Sequence, residues 1–137
     1  MDGDMRKYSF ENLDVWQRAS RLVCNVYSLF ESCRDRSFKD QVTRAALSIP
    51  SNIAEGEERG SPKDSARFLY YSKGSAGELA TQLYIAIEIG LVDKTKALQL
   101  IDETKQLSAM LAALIKIRKG EVHECPAGYR PKEDRSS

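Results

Sequence analysis

Apolar residues recur at helical spacing along the first third of the chain: Leu13, Val15, Trp16, Ala19, Leu22, Val23, Val26, Tyr27, Leu29 and Phe30. At 100° per residue they sweep about 200°, twice the roughly 100° stripe of an ordinary surface helix. The spacing predicts a helix over residues 12–32 with Asn12 as its N-cap. Asp14, Gln17, Arg18, Arg21, Asn25 and Ser28 fill the narrow polar side. An arc this wide implies that helix 1 meets its own bundle on one side and another molecule on the other. Val15, Leu22, Val26 and Leu29 are the candidates for that outer contact.

After a short polar connection, Ser37 three residues before Asp40 predicts the start of helix 2. Phe38, Val42, Ala45, Ala46, Ile49 and Ile53 trace its inner face. Pro50 falls inside this pattern, where it lacks a backbone donor and crowds the carbonyl of Ala46. The inner-face spacing does not slip across it, so one kinked helix is expected rather than two. Ser61-Pro62 with Asp64 reads as N-cap, first-turn proline and N-terminal acid of helix 3. That helix should run to about residue 89, where Gly90 stops it. Asp93 caps helix 4, which should end near residue 118, before Gly120. Residues 1–11 form an N-terminal extension, 12–119 the bundle, and 120–137, with two prolines, two glycines and mixed charge, a disordered tail. Four helices on short connections predict an all-α, antiparallel up-down-up-down four-helix bundle with a kinked second helix.

Arg44-Ala45-Ala46-Leu47-Ser48-Ile49-Pro50-Ser51-Asn52-Ile53-Ala54-Glu55-Gly56 resembles the signature of a bacterial family of four-helix-bundle proteins. These were first noted as reading frames within intervening sequences of 23S rRNA genes. The resemblance extends through Leu13-Asp14-Val15-Trp16-Gln17, Arg67-Phe68-Leu69, Gly74-Ser75-Ala76-Gly77-Glu78-Leu79 and Gly90-Leu91-Val92, and covers about residues 8–119. It implies a cytosolic bundle that assembles into a ring, typically of five copies. The chain is also similar to the accessory variability determinant of diversity-generating retroelements, a pentameric barrel that binds nucleic acid. That similarity raises RNA or DNA as partners.

Two clusters need a closer reading. At the proline, Ser51, Asn52 and Glu55 either line a polar site or serve the backbone; Pro50, Asn52 and Glu55 read best as a structural kink. On helix 3, Ala66, Tyr70, Lys73, Gly77 and Tyr84 share an outward face, and Tyr70, Gly77 and Tyr84 are spaced by sevens. A mid-helix glycine costs about 1 kcal/mol relative to alanine, so Gly74 and Gly77 suggest close approach of another backbone. Tyrosine suits an interface because its ring buries while its hydroxyl stays bonded. Tyr70, Gly77 and Tyr84 therefore join the predicted oligomer interface.

Composition narrows the function. The 137 residues suffice for one domain, 42% hydrophobic and 30% charged. With 21 basic and 20 acidic side chains the net charge is +1, so nucleic-acid binding needs a local patch. Candidates are Arg34, Arg36 and Lys39 at one end of the bundle, and Arg59, Lys63 and Arg67 at the other. Repetition around a ring would multiply either cluster. Catalysis finds no foothold. The sole histidine, His123, lies in the predicted tail, and no Glu-x-x-His pair, phosphate loop or nucleophile triad occurs. Neither a cofactor, a metal nor a small-molecule substrate is expected. Cys24, Cys33 and Cys125 lack metal-ligand spacing and suit a reduced, cytoplasmic protein; no signal peptide or membrane span is expected.

Overall fold

The structure is a computed structural model that describes residues 8–121. Residues 1–7 and nearly all of the predicted tail, including His123 and Cys125, lie outside the described residues. A 3-10 turn at Ser9–Asn12 leads into four α-helices: α1 Asp14–Leu29, α2 Arg36–Glu57, α3 Pro62–Glu88 and α4 Lys94–Arg118. No strand occurs among the described residues.

Helix ends are set by short-range chemistry. Ser61 accepts a hydrogen bond from the Asp64 amide at 3.1 Å, and Asp93 accepts one from Lys96 at 2.9 Å. Both are the expected N-caps. Two starts differ from expectation. Asp35, not Ser37, caps α2 by accepting from the Phe38 amide at 3.0 Å. Asn12 closes the 3-10 turn, so α1 begins two residues later, at Asp14. At the far ends of α3 and α4, Gly90 (φ 76°) and Gly120 (φ 79°) take the left-handed conformation. The amides of Gly90 and Leu91 reach back to the Ile87 and Ala86 carbonyls, and those of Gly120 and Glu121 to Ile117 and Lys116. Each is a Schellman closure, which glycine makes without a Cβ penalty.

Packing is square: α1 and α3 each lie against α2 and α4, and neither diagonal pair approaches closely. Cross-links between α2 and α3 fall in antiparallel register. Ser72 donates to the Ile49 carbonyl at 2.8 Å, Ser48 donates to the Ser75 hydroxyl, and Gly56 sits on Ser65. Phe30, Leu22, Ile49, Ile53, Leu69, Leu79, Leu83, Leu107 and Leu111 fill the centre. Pro50 is buried inside an unbroken α2. The Asn52 amide donates to the Ser48 carbonyl at 2.9 Å, and Glu55 pairs with Arg59 at 2.9 Å on the surface.

One sequence expectation is overturned here. Val15, Leu22 and Val26 are fully or almost fully buried within their own bundle, and Leu29 is packed against the same core. Val15, Leu22 and Val26 therefore have no surface left to offer a second molecule, while half-buried Leu29 borders an open cleft between α1 and α4. The wide arc of α1 has a simpler cause: a corner helix of a square bundle meets two neighbours about a right angle apart, so its covered arc is broad. The Phe10 ring adds cover by packing on Trp16 at 5.1 Å between centroids. Of the α1 apolar set only Tyr27 stays substantially exposed.

The close-approach glycine is also displaced. A Cβ on Gly56 would lie 3.0 Å from the Ser65 carbonyl oxygen and 3.1 Å from the Phe68 Cβ, so this glycine lets α2 and α3 touch. Added Cβ atoms on Gly74 and Gly77 meet nothing within 4 Å. Ala66, placed on the outward face by the sequence, is buried.

Candidate functional site: the outer face of α3

With α1 spent on the core, the exposed apolar surface concentrates on α3. Of nine large hydrophobic side chains left exposed among the described residues, Tyr70, Tyr71, Tyr84, Ile85 and Ile89 belong to α3 or its C-cap. Exposed apolar residues scattered singly are ordinary, but a contiguous group marks a contact surface. Tyr70, Gly77 and Tyr84 do share one stripe, with Gly74 and Thr81 between the rings. The tyrosines are 14 residues apart, about 21 Å along the axis. Between them the backbone lies bare at Gly74 and Gly77 and only the short Thr81 side chain intervenes, its hydroxyl donating to the Gly77 carbonyl at 2.9 Å, so the stripe forms a shallow trough with a ring at each end.

Lysines of α4 complete both walls. Lys119 donates to the Tyr70 hydroxyl at 3.4 Å, its ammonium 5.6 Å from the ring centre. Lys105 stands 5.5 Å from the Tyr84 ring centre. Both ammonium groups are held above the usual lysine pKa. For Lys105 the Tyr84 hydroxyl is the main cause, and for Lys119 it is the Tyr70 hydroxyl followed by Glu121. Both lysines therefore remain charged at neutral pH. The trough is apolar at its walls, open at its floor and cationic along the α4 side.

The basic candidates divide between the two ends of α2, a helix of 22 residues and so about 33 Å long. Arg34 and Arg36 are exposed and Lys39 half-buried at the α1–α2 connection. At the α2–α3 turn, the Arg59 and Arg67 guanidinium carbons lie 4.6 and 4.7 Å from the Phe68 ring centre. Arg67 also reaches the Tyr71 hydroxyl at 3.3 Å, which raises its pKa, with Asp64 adding to the effect. Lys63 is exposed one turn away.

Two further arginines tie the helices of the bundle together. Arg118 binds Glu57 at 3.0 Å, with only 15% and 12% of the two side chains exposed, and Ser65 joins the same carboxylate. Arg18 grips both oxygens of Glu103 at 2.9 and 2.7 Å and Gln106 at 2.8 Å, tying α1 to α4. The Glu103 hydrogen bond raises the Arg18 pKa against the opposing effect of burial.

Between α1 and α4 an open cleft of about 600 Å³ is lined largely by polar groups, among them Asn25, Ser28, Ser32, Lys96 and Gln99. Among the described residues no three His, Cys, Asp or Glu side chains converge as metal ligands. No helix there is long and apolar enough to cross a membrane.

No curated protein matches the chain. A family model does: that of the 23S rRNA-intervening sequence protein aligns with residues 11–113, from the turn before α1 to well inside α4. That span takes in Pro50 with its flanking serines, both trough glycines and both tyrosines. The chain belongs to the 23S rRNA-intervening sequence protein family.

Proposed function

We propose that this protein is a non-enzymatic, self-assembling bundle that works in the cytoplasm as a scaffold or accessory binding protein. Copies pack through the outer face of α3 and close a ring, five being the number the family resemblance implies. The observation that carries this reading is the trough: Tyr70 and Tyr84 are 51% and 46% exposed, with two glycines between them that nothing in their own chain requires. Covering such side chains contributes about 25 cal/mol per Å² of apolar surface. A glycine kept in a helix at a cost of about 1 kcal/mol is accounted for when a neighbour occupies the space. Acylation footprinting tests this reading. Lys105 and Lys119 should react slowly in the unmodified chain and faster in Gly77→Arg, while exposed Lys63 reacts alike in both. Rates at Lys105 and Lys119 that are the same in the two proteins would end it.

A second reading, binding of RNA, is favoured by the α2–α3 turn. Guanidinium groups over aromatic rings offer both phosphate pairing and a stacking surface for unpaired bases. Binding of a single-stranded RNA should weaken as salt rises. The double variant Arg59→Ala/Arg67→Ala should flatten the log–log salt slope by about 1.4, the value for two lost phosphate contacts. Absence of binding at low salt removes this reading and leaves the first intact.

A further inference from the structure

The trough on α3 has a counterpart on the neighbouring corner of the square. Along the outward stripe of α2, Asp40, Arg44, Leu47, Ser51 and Glu55 recur at helical spacing and all are exposed. Leu47 is the one large apolar side chain among them, 50% exposed. It lies seven residues after Asp40 and eight before Glu55, so a carboxylate stands about 10–12 Å away on each side. The trough repeats this layout with opposite charge. Gly77 is its centre, and seven residues to either side stand Tyr70 with Lys119 and Tyr84 with Lys105.

We infer that the outward stripe of α2 is the surface on which the α3 trough of a second copy seats, Leu47 entering at Gly77 and Asp40 and Glu55 meeting the two lysines. The inference rests on the self-assembly proposed above and adds which surface the trough receives. Three features fit together. A protruding leucine meets a floor where Gly74 and Gly77 carry no side chain and Thr81 a short one, its hydroxyl turned onto the Gly77 carbonyl at 2.9 Å. Carboxylates meet ammonium groups at matching distances, Glu55 exchanging or sharing Arg59 and Lys119 exchanging or sharing Glu121. The tyrosine rings stand about 10 Å along the axis to either side of the leucine, next to the charged pairs. Such a contact joins different patches on the two copies. Because α2 and α3 occupy adjacent corners, successive copies turn rather than stack in line, which is the condition for a head-to-tail ring to close.

Mixing two blocked variants tests this. Gly77→Arg fills the trough but leaves the α2 stripe intact; Leu47→Arg does the reverse. Both positions are exposed, and circular dichroism checks that each variant keeps its helices. Each alone should run as a single copy of 15.4 kDa. An equimolar mixture should yield a two-copy particle that grows no further, since one competent trough and one competent stripe remain. If Leu47→Arg assembles like the unmodified chain while Gly77→Arg does not, the α2 stripe is the wrong surface and the α3 reading survives. Two single copies that stay apart on mixing also overturn the inference. If the unmodified chain is itself a single copy, both readings fall. Should Leu47→Arg not fold, the charge-reversal variants Asp40→Lys/Glu55→Lys and Lys105→Glu/Lys119→Glu replace these. Each alone should run as a single copy, and the mixture should form particles of more than two copies because both contacts are then complementary. Single copies that stay apart on mixing overturn the inference.

Discussion

Gly77→Arg should dissociate the assembly and leave the bundle as stable as before, or slightly more so. Among the described residues nothing lies within 4 Å of a Cβ at this position, so the new side chain displaces no core atom. Replacing glycine inside a helix stabilises it by up to about 1 kcal/mol. In the proposed contact the same arginine sits where a second copy would dock, between the trough ends held by Lys105 and Lys119. Placing a charge there without a partner costs about 3 kcal/mol or more, at least a hundredfold in Kd. Sedimentation and thermal melting should therefore separate: smaller particle, unchanged or higher midpoint for the isolated bundle. Sedimentation identical to the unmodified chain would remove Gly77 from any interface.

The second large effect is expected at Gly56, with the opposite signature. Alanine there gains the same helix propensity, but its Cβ would press on the Ser65 carbonyl at 3.0 Å and the Phe68 Cβ at 3.1 Å. Backbone cannot give way like the end of a flexible side chain, and overpacking of this kind costs about 1–3 kcal/mol. The steric term exceeds the propensity term, so Gly56→Ala should lose about 1–2 kcal/mol, and Gly56→Leu should lose more. Urea unfolding is best read in the Gly77→Arg background, where assembly does not add to apparent stability. An unchanged or raised midpoint for Gly56→Ala would show that α2 and α3 can separate there at little cost.

The two glycines show where sequence reasoning reaches and where it stops. That mid-helix glycines need a reason is a local argument, and it pointed to Gly74 and Gly77 on α3, whereas the close approach within the chain falls at Gly56 on α2. Which glycine touches a neighbouring helix is a question of registry between α2 and α3, and a one-dimensional pattern does not contain it. Caps at Ser61 and Asp93 and closures at Gly90 and Gly120 were legible because partner and signal lie within five residues. Asp35 and Ser37 were rival caps two residues apart, and the hydrogen bond to Phe38 decides between them. Tyr70 and Tyr84 were legible as outward because sevenfold spacing holds a helix face. Their lysine partners on α4 were not, since they depend on how two helices are set side by side.

The arc of α1 was misread for a related reason. A helical wheel reports how much surface is apolar but not how many neighbours share it. One flat partner covers a narrow stripe; two partners at a corner cover about twice that. Val15, Leu22 and Val26 therefore belong to the core, and only Tyr27 stays substantially exposed. Arg118 follows the same logic. It answers a largely buried Glu57 on α2, 61 residues away in sequence, a pairing that no local pattern contains. The case for assembly consequently rests on α3 alone.

Light scattering coupled to size separation, run on the unmodified chain from tens of micromolar down to about one, tests that case most directly. The account predicts one particle of several copies, five times 15.4 kDa if the ring is pentameric, that survives the dilution. A particle of 15.4 kDa at tens of micromolar would leave the α3 face uncovered and contradict it.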